Sequence, residues 1–281
     1  MMLLKEKVEA KQVEEWVLKE YDFYPEKMEE RDNHKVIYCQ RGAFILKATK
    51  APKRYVHWLA DMLAELKRKG FASVLPFYPN KYGDRYVSIA GRNYYVLPLV
   101  EQEVEEKDKG SWKLATLRLL AELHQRTVSS STRPCPLNPL SLSRLEKRWR
   151  KRLEQLANYK ELAVNKGILS PFEQVFVGRF NYLYRLGERA IRYLQEWQER
   201  HGKGKLRYVF CHGHVGASSV LHTKEGSYLL HFDRANMDSP ARDLALYFRK
   251  QVDLSGDEGL KRCLQYLASY EEVFPLTQSE K

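Results

Sequence analysis

The chain has 281 residues, of which 43% are hydrophobic and 30% are charged. This composition is typical of a globular protein with one large domain or two lobes, and it excludes a disordered or fibrous chain. The 48 Lys and Arg residues exceed the 36 Asp and Glu residues, so the net charge of +12 favours acidic or polyphosphate partners without identifying one.

The sequence carries no signal of a membrane protein or a secreted protein. The first residues, MMLLKEKVEAKQVEEW, are charged from Lys5 onward, and no later stretch approaches the ~18 uninterrupted apolar residues of a membrane span. We therefore expect no signal peptide, no membrane association and synthesis in the cytoplasm. The four cysteines are far apart and form no C-x-x-C pair, which favours reduced thiols over a disulfide framework or a zinc knuckle.

Short β-type runs predict two hairpins in the first hundred residues. The predicted strands are Val36–Gln40 and Ala43–Thr49, joined through Arg41-Gly42, and Arg85–Ala90 and Asn93–Pro98, joined through Gly91-Arg92. Between the hairpins, Tyr55–Lys69 has one apolar helical stripe and ends at Gly70, which suits the left-handed position after a helix. Residues 1–100 therefore predict a small lobe with one antiparallel sheet and one helix.

The remainder of the chain predicts a connection and a mostly helical second lobe. Residues 101–110 are polar and acidic, which is typical of an exposed connection, and the second lobe is predicted over residues 111–281. Ser111 can cap a helix whose apolar face includes His124, which we interpret as a hydrogen-bonded core histidine. Ser170 opens a capping box followed by proline, which predicts a long helix to about Glu199.

The densest basic stretch is RLEKRWRKR at residues 144–152. Leu145, Trp149 and Leu153 recur at helical spacing, so the basic side chains lie on the other faces of an amphipathic helix. No aromatic-basic binding motif accompanies them. We interpret the stretch as a solvated helix face, and we do not expect nucleic acid as a partner.

The most informative segment is residues 212–243, HGHVGASSVLHTKEGSYLLHFDRANMDSPARD. Its layout resembles the catalytic segment of kinase-like phosphotransferases of the aminoglycoside and choline kinase type. In those families it reads H-G-D-x-x-x-x-N, then a short hairpin, then an apolar residue followed by D-[FW]-[DEG], and later D-[LI]-A. Here His214 stands at the position of the base aspartate, Ser219 at that of the metal-binding asparagine, and His231 at that of the metal-binding aspartate.

The resemblance extends over about residues 20–278. Three further runs, VHWLADMLAELKRKGFASVLPFYPNKYGDRYVSIAGRNYYVLPLVEQE, LATLRLLAELHQRT and LLHFDRANMDSPARDLA, are similar to CotS-type spore coat proteins of the aminoglycoside phosphotransferase superfamily. This resemblance implies an α+β, bilobal protein-kinase-like fold whose large lobe is shortened at its C-terminus. It also implies other spore coat proteins as partners and deposition in the bacterial spore coat.

The resemblance implies that Lys47, in AFILKAT, matches the strand lysine that holds the α and β phosphates of ATP. Its acidic partner is expected on the following helix, where Asp61 and Glu65 are candidates one turn apart. A lysine at the edge of an apolar strand, with its ammonium in water, is the plainer alternative. Upstream, Tyr24–Lys35 contains no glycine, so the close backbone approach of a phosphate-cradling loop is not predicted.

The substitutions at the metal positions weigh most against phosphoryl transfer. His214 could still accept a hydroxyl proton, because an imidazole has a pKa of about 6.5. Mg²⁺ prefers hard oxygen ligands, however, and Ser219 and His231 replace both protein ligands by a hydroxyl and an imidazole. Phosphoryl transfer depends largely on positioning and charge neutralisation, so we expect no bound cofactor.

Two alternatives stay open for this segment. Asp233 or Asp238 could recruit a cation by another route, in which case the chain is an active ATP-dependent small-molecule phosphotransferase that uses Mg-ATP. Alternatively, His214 and His231 could bind a transition metal such as Zn²⁺ together with Asp233.

In the resembling families, the residues that match His212 and Asp243 tie the catalytic loop to the following helix, which is predicted to begin at Asp243. Their presence here implies that the frame of the fold is kept while the chemistry is changed. The leading hypothesis is therefore a catalytically inactive kinase-fold protein that acts as a structural or binding component of the spore coat.

Overall fold

A computed structural model describes residues 12–31, 34–100, 109–128, 134–137, 142–202, 207–216, 219–224, 226–251 and 256–280. The chain forms two compact units, one of Met1–Asn138 with Tyr208–Pro275 and the other of Pro139–Arg207 with Leu276–Lys281. Residues 101–108 of the predicted connection lie outside the described residues. The helix that follows begins at Lys109, so Ser111 lies inside it and is not its capping residue as predicted. None of the described helices is both long and apolar enough to span a membrane.

The first unit contains the predicted antiparallel sheet, and it has five strands. They are β1 (Lys27–Arg31), β2 (His34–Cys39), β3 (Gly42–Thr49), β4 (Val87–Ile89) and β5 (Arg92–Pro98). Their order is β1-β2-β3-β5-β4, and every neighbouring pair is antiparallel. The predicted helix lies between the third and fourth strands in the chain, as α2 (Lys53–Arg68), and it buries Leu59, Leu63 and Leu66.

Both hairpin turns lie one residue before the predicted joints. Cys39 pairs with Gly42, so the first turn consists of residues 40 and 41. Ile89 pairs with Arg92, so the second turn consists of Ala90 and Gly91, which have φ angles of 50° and 72°. Two successive positive φ angles match a type I′ turn, whose twist fits the twist of the flanking strands.

Strand β1 and the first helix were not predicted, for different reasons. Four of the five β1 residues are exposed and the strand reads KMEER, so it lacks the apolar alternation that marks a half-buried strand. Charged side chains are typical of an edge strand, where they discourage pairing with another chain. A helix, α1, is described over residues 12–20. Its buried Val17 and Leu18 pack with Phe23, which follows the helix, and with apolar residues of the sheet such as Phe44.

The rest of the first unit consists of helices and short strand pairs that hold two loops. Its elements are α3 (Lys109–Thr127), β6 (Val209–Cys211), β7 (Val220–Thr223), β8 (Gly226–Leu229), β9 (Asn236–Asp238), α6 (Pro240–Gln251) and α7 (Gly256–Glu271). Strand β6 pairs with β9, and β7 pairs with β8. The pairing places residues 212–216 directly after β6 and residues 230–235 directly before β9, so one loop begins and the other ends at the same short ladder.

The second unit contains two long helices, α4 (Leu142–Asn165) and α5 (Pro171–His201). The predicted capping box is confirmed, because the Ser170 side chain accepts from the Glu173 backbone and the Glu173 side chain accepts from the Ser170 backbone. Within the basic stretch, Trp149 and Leu153 are half-buried while most of the basic residues are exposed, as expected of a solvated helix face.

Candidate functional site

The loop that follows β6 is fixed by one buried carboxylate. Asp243, fully buried in the first turns of α6, accepts hydrogen bonds from the backbone N–H of His212 at 2.6 Å and of Gly213 at 2.8 Å. The helix begins at Pro240, three residues earlier than predicted, so Asp243 lies inside its first turn rather than at its start. The resulting contact attaches the loop to the body of the unit through its backbone, independently of the side chains at its tip.

A histidine completes this anchor from α3. His124 is fully buried, and its Nε2 lies 3.2 Å from Oδ2 of Asp243 while its Nδ1 lies 2.6 Å from the hydroxyl of Tyr270. The prediction of a hydrogen-bonded core histidine is confirmed. Burial acts to raise the pKa of Asp243, but His124 and the backbone N–H of Gly213 outweigh it, so the pKa lies below its usual value. Asp243 is therefore charged at neutral pH.

The loop also needs glycine at one position. Gly213 has a φ of 76°, and a Cβ atom there would lie 2.0 Å from the backbone oxygen of Arg234. No ordinary side chain could relieve this overlap, because the obstructing atom belongs to the backbone. The imidazole of His212 makes a second tie across the loops, with its Nε2 2.7 Å from the backbone oxygen of Leu230. Burial lowers the pKa of His212, so the ring is neutral and donates this bond.

Lys47 lies in the same cleft, but its partners differ from the predicted ones. Its ammonium is 2.9 Å from Nδ1 of His231 and 3.6 Å from Oδ2 of Asp233. The hydroxyl of Tyr95 donates to the other oxygen of Asp233 at 2.9 Å. The Lys47 side chain is only 13% exposed, so its charge is balanced mainly by Asp233 and by the lone pair of the imidazole.

The two predicted partners of Lys47 on α2 make other contacts. Asp61 forms an ion pair with Arg85 at 3.0 Å, and Glu65 forms one with Lys69 at 2.8 Å. The expectation of an acidic partner on this helix was therefore wrong. Sequence reasoning also missed Tyr95, which stacks on Phe77 with ring centroids 4.0 Å apart and thereby fixes the hydroxyl that holds Asp233.

His231 is held in an uncommon backbone conformation. Its φ and ψ are 64° and 51°, in the left-handed region, which costs most residues about 1–2 kcal/mol but which His, Asn and Asp adopt more readily than others. Burial and the nearby Lys47 ammonium lower the pKa of His231, so the ring is neutral and Nδ1 accepts from Lys47. The imidazole thus contacts the lysine directly.

Asp233, two residues further along, takes part in the same contact. Burial acts to raise its pKa, but the Lys47 ammonium and the Tyr95 hydroxyl lower it below its usual value. Tyr55 holds the segment behind it, because its hydroxyl donates to the backbone oxygen of Ala235 at 2.8 Å. The carboxylate is charged and has both oxygens in contact with protein donors.

Ser219 is turned away from the cleft. It is 1% exposed, its hydroxyl donates to the backbone oxygen of Gly216 at 2.7 Å, and it accepts from the backbone N–H of the same residue at 2.6 Å. The backbone N–H and the carbonyl oxygen of Gly216 thus satisfy the hydrogen-bonding capacity of the hydroxyl. The side chain closes a short loop and presents no free oxygen to the cleft.

His214 contacts a lysine that the sequence did not identify. Lys250, near the end of α6, places its ammonium 3.3 Å from Nδ1 and 3.4 Å from Nε2 of the ring. Partial burial and the charges of Lys250 and Arg234 lower the pKa of His214, so the ring is neutral at pH 7. The imidazole at the base position is therefore bordered by cations.

The described residues do not bring together the predicted transition-metal set of His214, His231 and Asp233. Among them, the one group of three candidate ligands whose donor atoms all lie within 4.8 Å of one another is His124, Cys211 and Asp243. These donors already bond to one another or to the backbone, and burial raises the pKa of the Cys211 thiol well above its usual value. A metal ion there would break the anchor described above, so this cluster is a structural one.

A small cavity of about 20 Å³ lies behind Lys47. Such a volume holds one water molecule at most. Its lining is mainly apolar and comes from α2, β3, β5 and the loop before β9: Lys47, Leu59, Leu63, Leu75, Phe77, Tyr95, Leu97, Leu229, Leu230, His231 and Phe232. The Lys47–His231 contact therefore borders mainly apolar side chains on this side, and a less polar environment strengthens electrostatic interactions.

The comparisons with known proteins agree with this frame. The family described as "Spore coat putative kinase YutH" matches residues 14–281. A comparison with the curated proteins gives no match.

Solved structures resemble the chain over nearly its whole length. An aminoglycoside phosphotransferase from Alicyclobacillus acidocaldarius has a TM-score of 0.71 at 18% identity, over 95% of this chain and 79% of that chain. A spectinomycin phosphotransferase bound to ADP and spectinomycin has a TM-score of 0.65 at 12% identity, over 95% and 80%. The choline kinase LicA from Streptococcus pneumoniae has 0.53 at 15%, over 96% and 83%. These similarities confirm the predicted α+β, bilobal protein-kinase-like fold.

The first prediction concerns the glycine of the anchored loop. Gly213→Ala is expected to lower the free energy of unfolding by about 2–4 kcal/mol, because the methyl group meets a backbone oxygen and the φ angle is unfavourable for alanine. Gly178→Ala is the control, since that glycine lies inside α5 with no atom near its added Cβ, and it should be neutral or stabilising by about 0.5–1 kcal/mol. Chemical denaturation measures both, and equal effects would contradict the proposed overlap.

The second prediction concerns the buried carboxylate. Asp243→Asn replaces one of two acceptor oxygens by a donor that faces a backbone N–H, so unfolding should become easier by about 3–5 kcal/mol at pH 7. Since folding lowers the pKa of Asp243, its contribution is complete well above the unfolded value of about 3.9 and is lost as the pH falls from there through the lower pKa of the folded state. The difference between the two proteins should therefore shrink in acid.

The matched control for that experiment is Asp257→Asn, an exposed aspartate in the first turn of α7. It should change the stability by less than about 1 kcal/mol, because exposed charges near a helix start contribute little. If Asp243→Asn were as mild as this control, the anchor would not carry the loop.

Proposed function

The chain belongs to the YutH family of spore coat kinase-like proteins, and we propose that it is a catalytically inactive member that serves the coat as a structural or binding component. The observation that carries this proposal is the Lys47 contact with His231 and Asp233. Both groups contact the Lys47 ammonium, which would otherwise be available to bind phosphate oxygens. A nucleotide would have to compete with an internal carboxylate that is always present.

The cation side of the site supports the same proposal. Mg²⁺ binds through carboxylates and other hard oxygens, usually with several waters and the substrate phosphates. Ser219 uses its hydroxyl within its own loop, and His231 offers an imidazole that already contacts Lys47. Of the two other candidate carboxylates, Asp238 is buried and paired with Arg242 at 2.7 Å, and a dication bound to Asp233 would lie beside the Lys47 ammonium. The described residues therefore do not fit a magnesium nucleotide complex.

The folded frame remains intact despite these changes. Asp243, His124 and Gly213 fix the loop through the backbone, so the surface of the unit does not depend on a bound nucleotide. A protein with a permanent cleft contact and a net charge of +12 is suited to binding acidic partners. We propose that other spore coat proteins are those partners and that the chain, made in the cytoplasm, is deposited with them in the coat.

The third prediction tests catalysis and nucleotide binding together. A ligand present at 100 times its dissociation constant stabilises its protein by ~2.7 kcal/mol, which raises the melting temperature of a chain of this size by several degrees. We expect no shift with ATP and either Mg²⁺ or Mn²⁺, and no transfer of radiolabelled phosphate to small-molecule alcohols and amines. A clear melting shift accompanied by turnover would show that the chain is an active phosphotransferase.

The fourth prediction concerns repair of the motif. The triple variant His214→Asp, Ser219→Asn and His231→Asp restores the residue types at the base and metal positions. It is still expected to bind ATP weakly, because Asp233 stays paired with Lys47 and the segment Tyr24–Lys35 has no glycine. Calorimetry of ATP binding with Mg²⁺ measures this.

The control for the repair adds Asp233→Gly to the triple variant. If the internal carboxylate blocks the lysine, the quadruple variant should bind nucleotide more tightly than the triple variant. Tight Mg²⁺-dependent binding by the triple variant alone would contradict the blocking role of Asp233.

A further inference from the structure

Three side chains form a group of nitrogen donors at one edge of the cleft: His214, Arg234 and Lys250, here called the cation cluster. The Lys250 ammonium lies 3.3 Å from Nδ1 of His214. Arg234 adjoins the same loop, because its Cβ would lie 3.4 Å from a Cβ placed on Gly213, the residue next to His214. One cation approaches the imidazole from α6 and the other belongs to the loop before β9.

These two cations lack an internal counter-ion within the parts of the chain that the structure describes. Arg234 and Lys250 are both exposed, and neither forms an ion pair with a described residue. Asp233 is the nearest carboxylate to Arg234 in sequence, but its oxygens contact Tyr95 and Lys47. Asp253, the nearest carboxylate to Lys250 in sequence, lies outside the described residues. Uncompensated cations that border a cleft attract anions, because low-dielectric walls focus their field.

The residues at the base and metal positions also make this region less negative. In the phosphotransferases that the segment resembles, the base and metal positions carry two aspartates, whereas here they are His214 and His231. Both imidazoles are neutral at pH 7, so two negative charges are missing from the place where the resembling enzymes need them. The carboxylate that remains in the cleft, Asp233, is paired with Lys47, so the edge formed by Arg234 and Lys250 repels a dication and attracts an oxyanion.

We propose that the cation cluster is a binding site for a phosphate dianion, free or as a simple ester, that requires no divalent cation. A guanidinium presents a rigid fork of N–H donors, an ammonium adds a compact charge, and a neutral imidazole adds one N–H. Together they can satisfy the terminal oxygens of one phosphate group. This inference rests on the proposed function. If the cleft bound Mg²⁺ with a nucleotide, the metal ion would contact the phosphate and the cation cluster would not be needed for it.

Titration calorimetry of the whole chain in EDTA, at about 50 mM salt to limit screening, tests the site with inorganic phosphate and with glycerol 3-phosphate as probes. We expect one saturable site per chain. Arg234→Gln and Lys250→Gln should each weaken binding by about twofold to fivefold, the range of one exposed ion pair, and the double variant should weaken it further. Whichever probe binds more tightly identifies the free ion or the ester as the occupant.

Arg249→Gln is the matched control, since it removes the same charge from the neighbouring exposed position of α6, about 100° around the helix. It should leave binding unchanged. The proposal is overturned if no saturable binding occurs, if Arg249→Gln weakens binding as much as Lys250→Gln, or if binding appears only when Mg²⁺ is added. A different observation would contradict the proposed function, namely transfer of phosphate from ATP, which this experiment does not measure.

Discussion

The cleft depends on the buried Asp243, whose carboxylate accepts hydrogen bonds from two backbone N–H groups. An ionised carboxylate without solvent is costly unless each lone pair finds a donor, and here His212, Gly213 and His124 supply three. Because the first two donors belong to the backbone, the position of the loop does not depend on the side chains that follow. The side chains at the loop tip could change without moving the loop.

The chemistry of the cleft changed within this fixed frame. Lys47 still reaches the loop before β9, but it meets an internal acceptor and an internal carboxylate, so the charge that could bind phosphate is satisfied by the protein itself. Ser219 satisfies its own loop, and His214 lies beside Lys250. Each of these contacts is individually weak or moderate. Together they convert a site suited to a cation and a polyphosphate into one whose edge carries positive charge that no described residue pairs with.

The sequence predicted much of the fold because its signals were local. The hairpins, α2 and the capping box of α5 follow from turn residues, apolar periodicity and an N-terminal serine. Strand β1 was missed because its exposed charged residues have no alternation, and the turns were misplaced by one residue because Gly42 and Gly91 fit either register. The frame residues were identified through the resemblance, which fixes their spacing.

The site contacts were harder to predict because they join residues far apart in sequence. Asp61 and Glu65 were reasonable partners for Lys47, yet Arg85 and Lys69 lie closer to them, and Asp233 becomes the partner only because Tyr95 orients it. No sequence pattern marks Lys250 as a neighbour of His214, since an exposed basic residue near a helix end is ordinary.

Binding of a divalent cation in the cleft tests most directly whether the catalytic site has lost its metal. Mn²⁺ replaces Mg²⁺ at oxygen sites and gives a free-ion signal in electron paramagnetic resonance that is lost on binding, so a titration in the presence of ADP counts bound ions. Because Ser219 and His231 offer no free hard oxygen, we expect the chain to remove no Mn²⁺ beyond the amount that ADP binds alone. One tightly bound Mn²⁺ per chain, lost in an Asp233→Asn variant, would show that the cation site persists and would contradict the proposed inactive cleft.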